Sequence, residues 1–274
     1  MRIEYEDQEI LVIYKEAGLP VQTARTSQKD VVSLLKNHLA KTGKTGMATE
    51  EHTSAGAGGS AEPYLGIIHR LDQPVEGLLV FAKTPKAAAV LSAQAAAKDG
   101  MEKLYQAAVC LDAFSYPSAV QGMKREETLV DWLGRDRASN MAYIASEDEK
   151  GAKRAELSFR TLRIRGGHAL LEIRLRTGRH HQIRIQMAHA GMPLLGDRKY
   201  GAVVSEQAQD TGAASQQAQD TSAAGEQAQE ADAAGTRPAK PLPLCLCACR
   251  LSLIHPRTKQ KMQFTVEPSW LSAL

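Results

Sequence analysis

The chain has no run approaching the ~20 consecutive apolar residues that a membrane-spanning helix needs. Its first residues, MRIEYEDQEI, place acids where a secretory leader carries a basic flank and an apolar stretch. Membrane insertion and export are therefore not expected, and the reading is a cytoplasmic protein. Cysteine is scarce: Cys110, Cys245, Cys247 and Cys249 make no disulfide framework of the secreted kind, which suits a reducing compartment. Three of them alternate along one stretch and so share one strand face, with no fourth ligand to close a tetrahedron. They read as small core residues. The helical zinc spacings H-E-x-x-H and H-x-x-E-H are absent. His180 and His181 are adjacent, and on a helix adjacent side chains diverge by about 100°. No metal is expected.

What is present is an ordinary globular composition, 43% hydrophobic and 24% charged, in 274 residues. That length buries a core without staples. The net charge of +3 conceals an uneven distribution. Six acidic residues and no Lys or Arg fall in 203–236, so the remainder carries +9. Residues 153–184 hold nine Lys/Arg against two Glu. A basic body fits a polyanion such as RNA, although a solvated basic face would look the same.

Three stretches read as loops or inserts. Residues 41–63 are rich in Gly, Thr and Ser without apolar period, which predicts a flexible loop. Residues 134–151 are polar and charged, and predict another. A decamer repeats at 205–214, 215–224 and 225–234 without Leu, Ile, Phe or any aromatic, so it cannot stack as a solenoid. Residues 203–240 therefore read as a disordered insert, with Ala, Gln and Glu permitting transient helix. Between the inserts, strands are predicted over 9–15, 77–83, 102–111, 155–165, 169–176 and 244–254. Helices are predicted over 29–40, from Thr84–Pro85 to about Lys98, and from His180 to Ala190 with a stop at Gly191. Strands outnumber helices and come in runs, which points to an α+β fold with a mixed, largely antiparallel sheet. One domain over 1–274 is expected.

Three segments carry chemistry. In Gly66–Lys83, His69, Arg70 and Asp72 precede an apolar strand, where a scaffold presents side chains on a loop. A carboxylate there beside cations can act as a nucleophile, but an Arg–Asp pair at a strand entrance serves structure equally well. Asp72 with Glu76 also suggests a glycosidase pair, whose ~5–10 Å separation the sequence does not fix. In Arg176–Tyr200, Arg179, His181, Gln182 and Arg184 cluster. His181 and Arg184 share a helix face at i, i+3, and the helix N-terminus favours anions. A cation from this helix could pair with Asp72 and hold its pKa down. In Lys103–Val109, Tyr105 lies on an alternating strand, either as a half-buried core tyrosine or as a platform for a nucleobase.

In this order the segments resemble the RluA family of pseudouridine synthases. The His-Arg-Leu-Asp box is His69–Asp72, followed by Gly77–Val80. The tyrosine strand carries Tyr105. Arg176–Arg184 matches the Arg-Thr-Gly-Arg-x-His-Gln-Ile-Arg box, and Gly196–Gly201 the Gly-Asp-x-x-Tyr-Gly segment. The opening DQEILVIYKEAGLPV and the closing RLSLIHPRTKQKMQF agree with the family's first strand and last hairpin. Departures are Pro74–Val75–Glu76 where Thr-Ser is usual, Lys15–Glu16 for Lys-Pro, and Cys247–Ala248–Cys249 for Leu-His-Ala. An N-terminal S4 module, carried by some members, is not expected before the strand near residue 9.

The resemblance implies a cofactor-free isomerase that flips a uridine from its stack into a cleft across the sheet. It makes Asp72 the nucleophile, at the sugar C1′ or the base C6, or by assisting a deprotonated sugar intermediate. Tyr105 would stack on the flipped uracil, and Arg184 would pair with Asp72. Arg70 would fill the vacated stack, with His69, Arg179, His181 and Gln182 contacting RNA or supporting the pocket. Ribosomal or transfer RNA is the implied partner, and a monomer is expected. A non-catalytic RNA-binding or ribosome-assembly protein of the same fold is the competing class.

Overall fold

Two almost uninterrupted apolar runs form central strands, buried on both sides. They are β2 (Ile10–Lys15) and β4 (Glu76–Ala82), paired antiparallel from Ile10↔Ala82 to Lys15↔Gly77. In the computed structural model the described residues are 1–25, 27–43, 62–97, 100–111, 126–165, 167–201 and 242–273. The other strands are β1 (Arg2–Glu6), β3 (Gly66–Ile67), β5 (Glu102–Cys110), β6 (Glu127–Asp136), β7 (Met141–Ala145), β8 (Lys153–Arg165), β9 (His168–Leu175), β10 (Leu246–Ile254) and β11 (Lys261–Thr265). They join in one sheet ordered β1-β2-β4-β10-β5-β9-β8-β6-β7, with β3 beside β4 and β11 beside β10. Every pairing of named strands is antiparallel except β4 with β10. The α+β, largely antiparallel expectation holds.

The alternation of side chains separates two cores. Leu11, Ile13, Leu79, Phe81, Tyr105, Ala107, Leu171 and Ile173 face one side. Helices α1 (Val31–Thr42) and α3 (Gln182–His189) cover that side through Val31, Leu35, Leu39, Ile183 and Met187. Ile10, Val12, Leu78, Val80 and all three clustered cysteines face the other, under α2 (Pro85–Ala96) and Trp270. Cys245, Cys247 and Cys249 are buried and free. The caps follow the sequence. Asp30 accepts from Ser33 N to open α1, and Thr84 with Pro85 at the first position opens α2. Gly77 has φ 128°, and a Cβ there would meet Ala248 N at 2.5 Å, so the parallel contact of β4 with β10 requires glycine.

Two expectations change. Residues 134–151 are not one loop. Residues 134–136 end β6, Asp136 caps the turn by accepting from Ala138 N, β7 runs back along β6, and only the return to β8 is irregular. Helix α3 starts at Gln182, two residues later than predicted, because His181 takes a left-handed conformation at φ 51°. Residues 44–61 of the predicted loop at 41–63, and the whole insert at 203–240, lie outside the described residues.

Candidate active site

A cleft of about 830 Å³ opens on the α3 side of the sheet. Its walls come from the segment before β4, the tyrosine of β5, the start of α3 and, unforeseen, the β6–β7 hairpin with the following turn. Asp72 lies in it with its side chain 29% exposed. The turn that holds Asp72 is closed by Val75 N donating to Asp72 O at 3.0 Å. Next to it, the buried Lys15 ammonium donates to the carbonyls of Gln73, Leu19 and Glu16 at 3.0, 2.8 and 3.1 Å. Burial without a carboxylate contact pushes Lys15 down to about 8. Gln73 and Gly18 exchange two further hydrogen bonds, lacing the Asp72 turn to the loop after β2.

The cations around Asp72 are arranged otherwise than expected. Arg184 makes its two short bonds to Asp197, Nε–Oδ2 at 2.8 Å and Nη2–Oδ1 at 2.7 Å, with both side chains nearly excluded from solvent. Its remaining Nη1 lies 3.8 Å from Asp72 Oδ2. His181 Nε2 lies 3.5 Å from that same oxygen. Burial is the largest influence on Asp72 and leaves its carboxyl above the ordinary range, with Arg184 first among the cations opposing it. A pKa held down by Arg184 is thus corrected: the arginine's charge is already largely answered by Asp197, and desolvation wins.

The other predicted residues divide. Tyr105 is 6% exposed and lines the cleft, its phenol pushed upward first by burial and then by Asp72. His181 is buried, and desolvation with Arg184 beside it lowers it to about 3, so the imidazole is neutral. His69 sits where β4 and β10 part and accepts from Val80 N through Nε2 at 3.4 Å. Burial lowers it to about 3. It lines the cleft as a neutral imidazole. Gln182 is turned inward, bonded to Arg179 N, Thr177 Oγ1, Glu156 O and Gln186 Oε1. Arg70 and Arg179 are exposed on the cleft walls. Arg70 makes no ion pair with Asp72 among the described residues, so the simple Arg–Asp pair is not what holds the carboxylate.

Sequence reasoning placed Asp197 and Tyr200 in a matched segment but gave them no role, and it missed the basic hairpin wall of Arg135, Arg137, Lys150 and Lys153. Asp197 carried a signal, since an aspartate after glycine that caps the next turn accepts from Lys199 N and Tyr200 N. Glu76 is excluded from a glycosidase pair. It is 2% exposed, takes no part in the cleft wall, and accepts from Tyr14 Oη, Ser269 N and Ser269 Oγ. His180 and His181 do not diverge as predicted. Their rings stack at 3.8 Å with 24° between planes, which the left-handed residue allows. Their ligand atoms and Asp72's lie within 4.8 Å of one another. Near-parallel stacked rings, however, cannot both direct an in-plane nitrogen at one ion.

One large, mainly antiparallel sheet with helices on both faces is the fold of the pseudouridylate synthases of known structure. The solved human RNA pseudouridylate synthase domain containing 4 superposes with a TM-score of 0.60 at 20% identity, covering 97% of this chain and 88% of that one. The human domain containing 1 gives 0.59 at 16%, covering 100% and 85%. The family model described as RNA pseudouridylate synthase matches residues 9–189, and the chain belongs to that family. Ribosomal large subunit pseudouridine synthase D of Zymomonas mobilis is 36% identical over 202 residues, 73% of this chain and 56% of the relative. The protein of that name from Pseudomonas aeruginosa is 31% identical over 210 residues, 73% and 53%. The chain spans about half the length of the curated relatives it matches.

Proposed function

We propose that the protein isomerises uridine to pseudouridine in RNA, with Asp72 as the nucleophile. The observation that carries the reading is the placement of Asp72: a carboxylate in a cleft of nucleotide size, approached on one oxygen by Arg184 and His181 and walled by Tyr105. The reaction breaks the N1–C1′ bond, turns the uracil and joins C5 to C1′; C5 then loses its proton and N1 ends protonated, so the atoms balance and no second substrate is consumed. A carboxylate can supply the covalent or electrostatic help that bond exchange needs. Tyr105 offers a face on which a base stacks. Arg70, Arg135, Arg137, Lys150, Lys153 and Arg179 line the cleft and are exposed, suiting the phosphates on either side of an extruded nucleotide. The names of the relatives make large-subunit ribosomal RNA the first substrate to try.

The test is a pseudouridine map of RNA from cells carrying the wild-type gene, a deletion, or Asp72→Asn. The deletion and the variant should lose the same site or sites, and purified Asp72→Asn should keep its fold and its RNA affinity. If no site is lost on deletion, the protein is an RNA-binding or assembly factor. If Asp72→Asn retains substantial activity, the nucleophile is misassigned.

A further inference from the structure

Tyr200 is 1% exposed, and its hydroxyl has two neighbours. Ala142 N of β7 donates to Oη at 2.8 Å. His181 Nδ1 lies 2.7 Å from Oη. A phenol has one proton to give. Were His181 to donate through Nδ1, Oη would receive two donors and its own proton would lack an acceptor among the described residues. A buried hydroxyl proton without an acceptor is unfavourable. The network is satisfied when Ala142 N donates to Oη and Oη–H donates to Nδ1. The imidazole proton then resides on Nε2, the nitrogen 3.5 Å from Asp72 Oδ2. The opposite tautomer would set a lone pair against a carboxylate oxygen. Two independent contacts therefore select one tautomer.

We propose that Tyr200 is a positioning residue: it fixes His181 as the Nε2–H tautomer, so that His181 and Arg184 together hold Oδ2 of Asp72 and leave Oδ1 to meet the substrate. Oδ1 has no partner among the described residues, whereas both donors approach Oδ2. The left-handed backbone of His181 makes the arrangement possible, since a helical His181 would carry its ring around the α3 axis. The same segment supplies every part: His181 and Arg184 at the start of α3, then Asp197 and Tyr200 in the turn beyond it. Asp197 orients Arg184, and Tyr200 orients His181.

The kinetic consequence rests on Asp72 being the nucleophile, but the geometry does not, and the experiment separates them. In ligand-free protein labelled with 15N-histidine, His181 should show a pyridine-type Nδ1 and a protonated Nε2. In Tyr200→Phe the proton should move to Nδ1 or distribute over both nitrogens. The Asp72 carboxyl, followed by its 13C shift, should titrate at higher pH once the Nε2–H donor is lost. His181→Gln sets an amide nitrogen near the Nε2 position and His181→Asn sets one near Nδ1. With transcribed large-subunit ribosomal RNA as substrate, Gln should retain at least about tenfold more kcat than Asn, on the scale of an outer hydrogen-bond partner. The two variants do not depend on Tyr200→Phe folding well. A protonated Nδ1 in the wild type overturns the proposal. So does a Tyr200→Phe protein in which the His181 tautomer and the Asp72 titration are both unchanged, or an Asn variant as active as Gln. If the tautomer and titration are as stated while no pseudouridine forms, the function proposed above fails and the positioning stands.

Discussion

Asp197→Ala tests whether Arg184 is built into the site or merely lies near it. The Asp197 side chain is fully buried and receives four donors: Arg184 Nε and Nη2, and the amides of Lys199 and Tyr200. Removing it leaves a guanidinium buried without its partner. Breaking one side of such a pair costs about 3–5 kcal/mol. For a domain of this size 1 kcal/mol moves Tm by about 2–4 °C, so the variant should melt about 6–20 °C lower. The perturbation also has a pH signature. Arg184 and the two amides hold the Asp197 carboxyl below its ordinary value, against burial, which is the largest single influence and opposes them. A depressed carboxylate contributes stability above its unfolded pKa of about 3.9, lost as pH falls through the folded value. The gap between wild type and variant should therefore be full at pH 7 and narrow on acidification below about pH 4. Urea denaturation at both pH values, with the double variant Arg184→Met/Asp197→Leu as control, measures it. The double variant should regain much of the lost stability, because replacing both members of a buried pair by apolar groups removes the orphaned charge. An Asp197→Ala protein within about 2 °C of wild type, or a double variant no better than the single, would refute the reasoning.

Three further outcomes are expected. Burial holds the Asp72 carboxyl above its ordinary value, and in the proposed reaction it is the ionised form that attacks. The acid limb of the kcat/KM profile should therefore lie above pH ~3.9 and activity should rise through it; a flat profile down to pH 4 contradicts this. Glu76→Ala should lower Tm, since Tyr14 and Ser269 lose a buried acceptor at about 1–3 kcal/mol, while kcat stays within twofold because Glu76 is outside the cleft; a kcat loss without a Tm change would place it in the site. Arg135→Gln and Arg137→Gln should each reduce the slope of log affinity against log salt by about 0.7 if each meets a phosphate of single-stranded RNA, and unchanged slopes would remove the hairpin from the RNA path.

The central fold was legible because its strands obey simple rules. Residues 10–15 and 77–82 are apolar enough to be buried on both faces, and Thr84–Pro85 announces a helix start. The β6–β7 hairpin was not legible. It lies at the sheet's edge, and Arg135, Asp136 and Arg137 are exposed, so hydrophobic alternation fades where the turn approaches. Tyr143 covers Gly134 across the ladder, where a Cβ would meet the tyrosine ring at 2.2 Å, a pairing invisible without the register. β1 failed for a related reason, with no fully buried residue in its five. In the site, residue types were readable but partners were not. Arg184 could be assigned a carboxylate, yet Asp72 and Asp197 are both available, and only the folded turn after α3 decides between them. The divergence expected of His180 and His181 failed because a non-glycine left-handed residue is uncommon and has no sequence mark here.

The choice of Asp197 over Asp72 as the main partner of Arg184 has a chemical consequence. A bidentate pair with Asp72 would occupy both of its oxygens and hold its pKa low, giving a stable but weakly nucleophilic carboxylate. Anchored on Asp197, Arg184 offers only Nη1, and at 3.8 Å. Asp72 then keeps one oxygen unoccupied among the described residues and a pKa that burial raises. Asp197→Asn should shift this balance in a way that general destabilisation does not. The neutral amide no longer answers the guanidinium charge, so Arg184 acts more strongly on Asp72, and the Asp72 titration should move to lower pH. kcat should nevertheless fall, on the order of 10²-fold, because an Arg184 released from Asp197 can close on both oxygens of Asp72 and leave neither placed for the substrate. A falling pKa together with a falling kcat is the expected pattern, read by 13C titration and single-turnover kinetics on the folded variant. A rising Asp72 pKa in that variant would mean that Asp197 serves only to keep α3 and its following turn together.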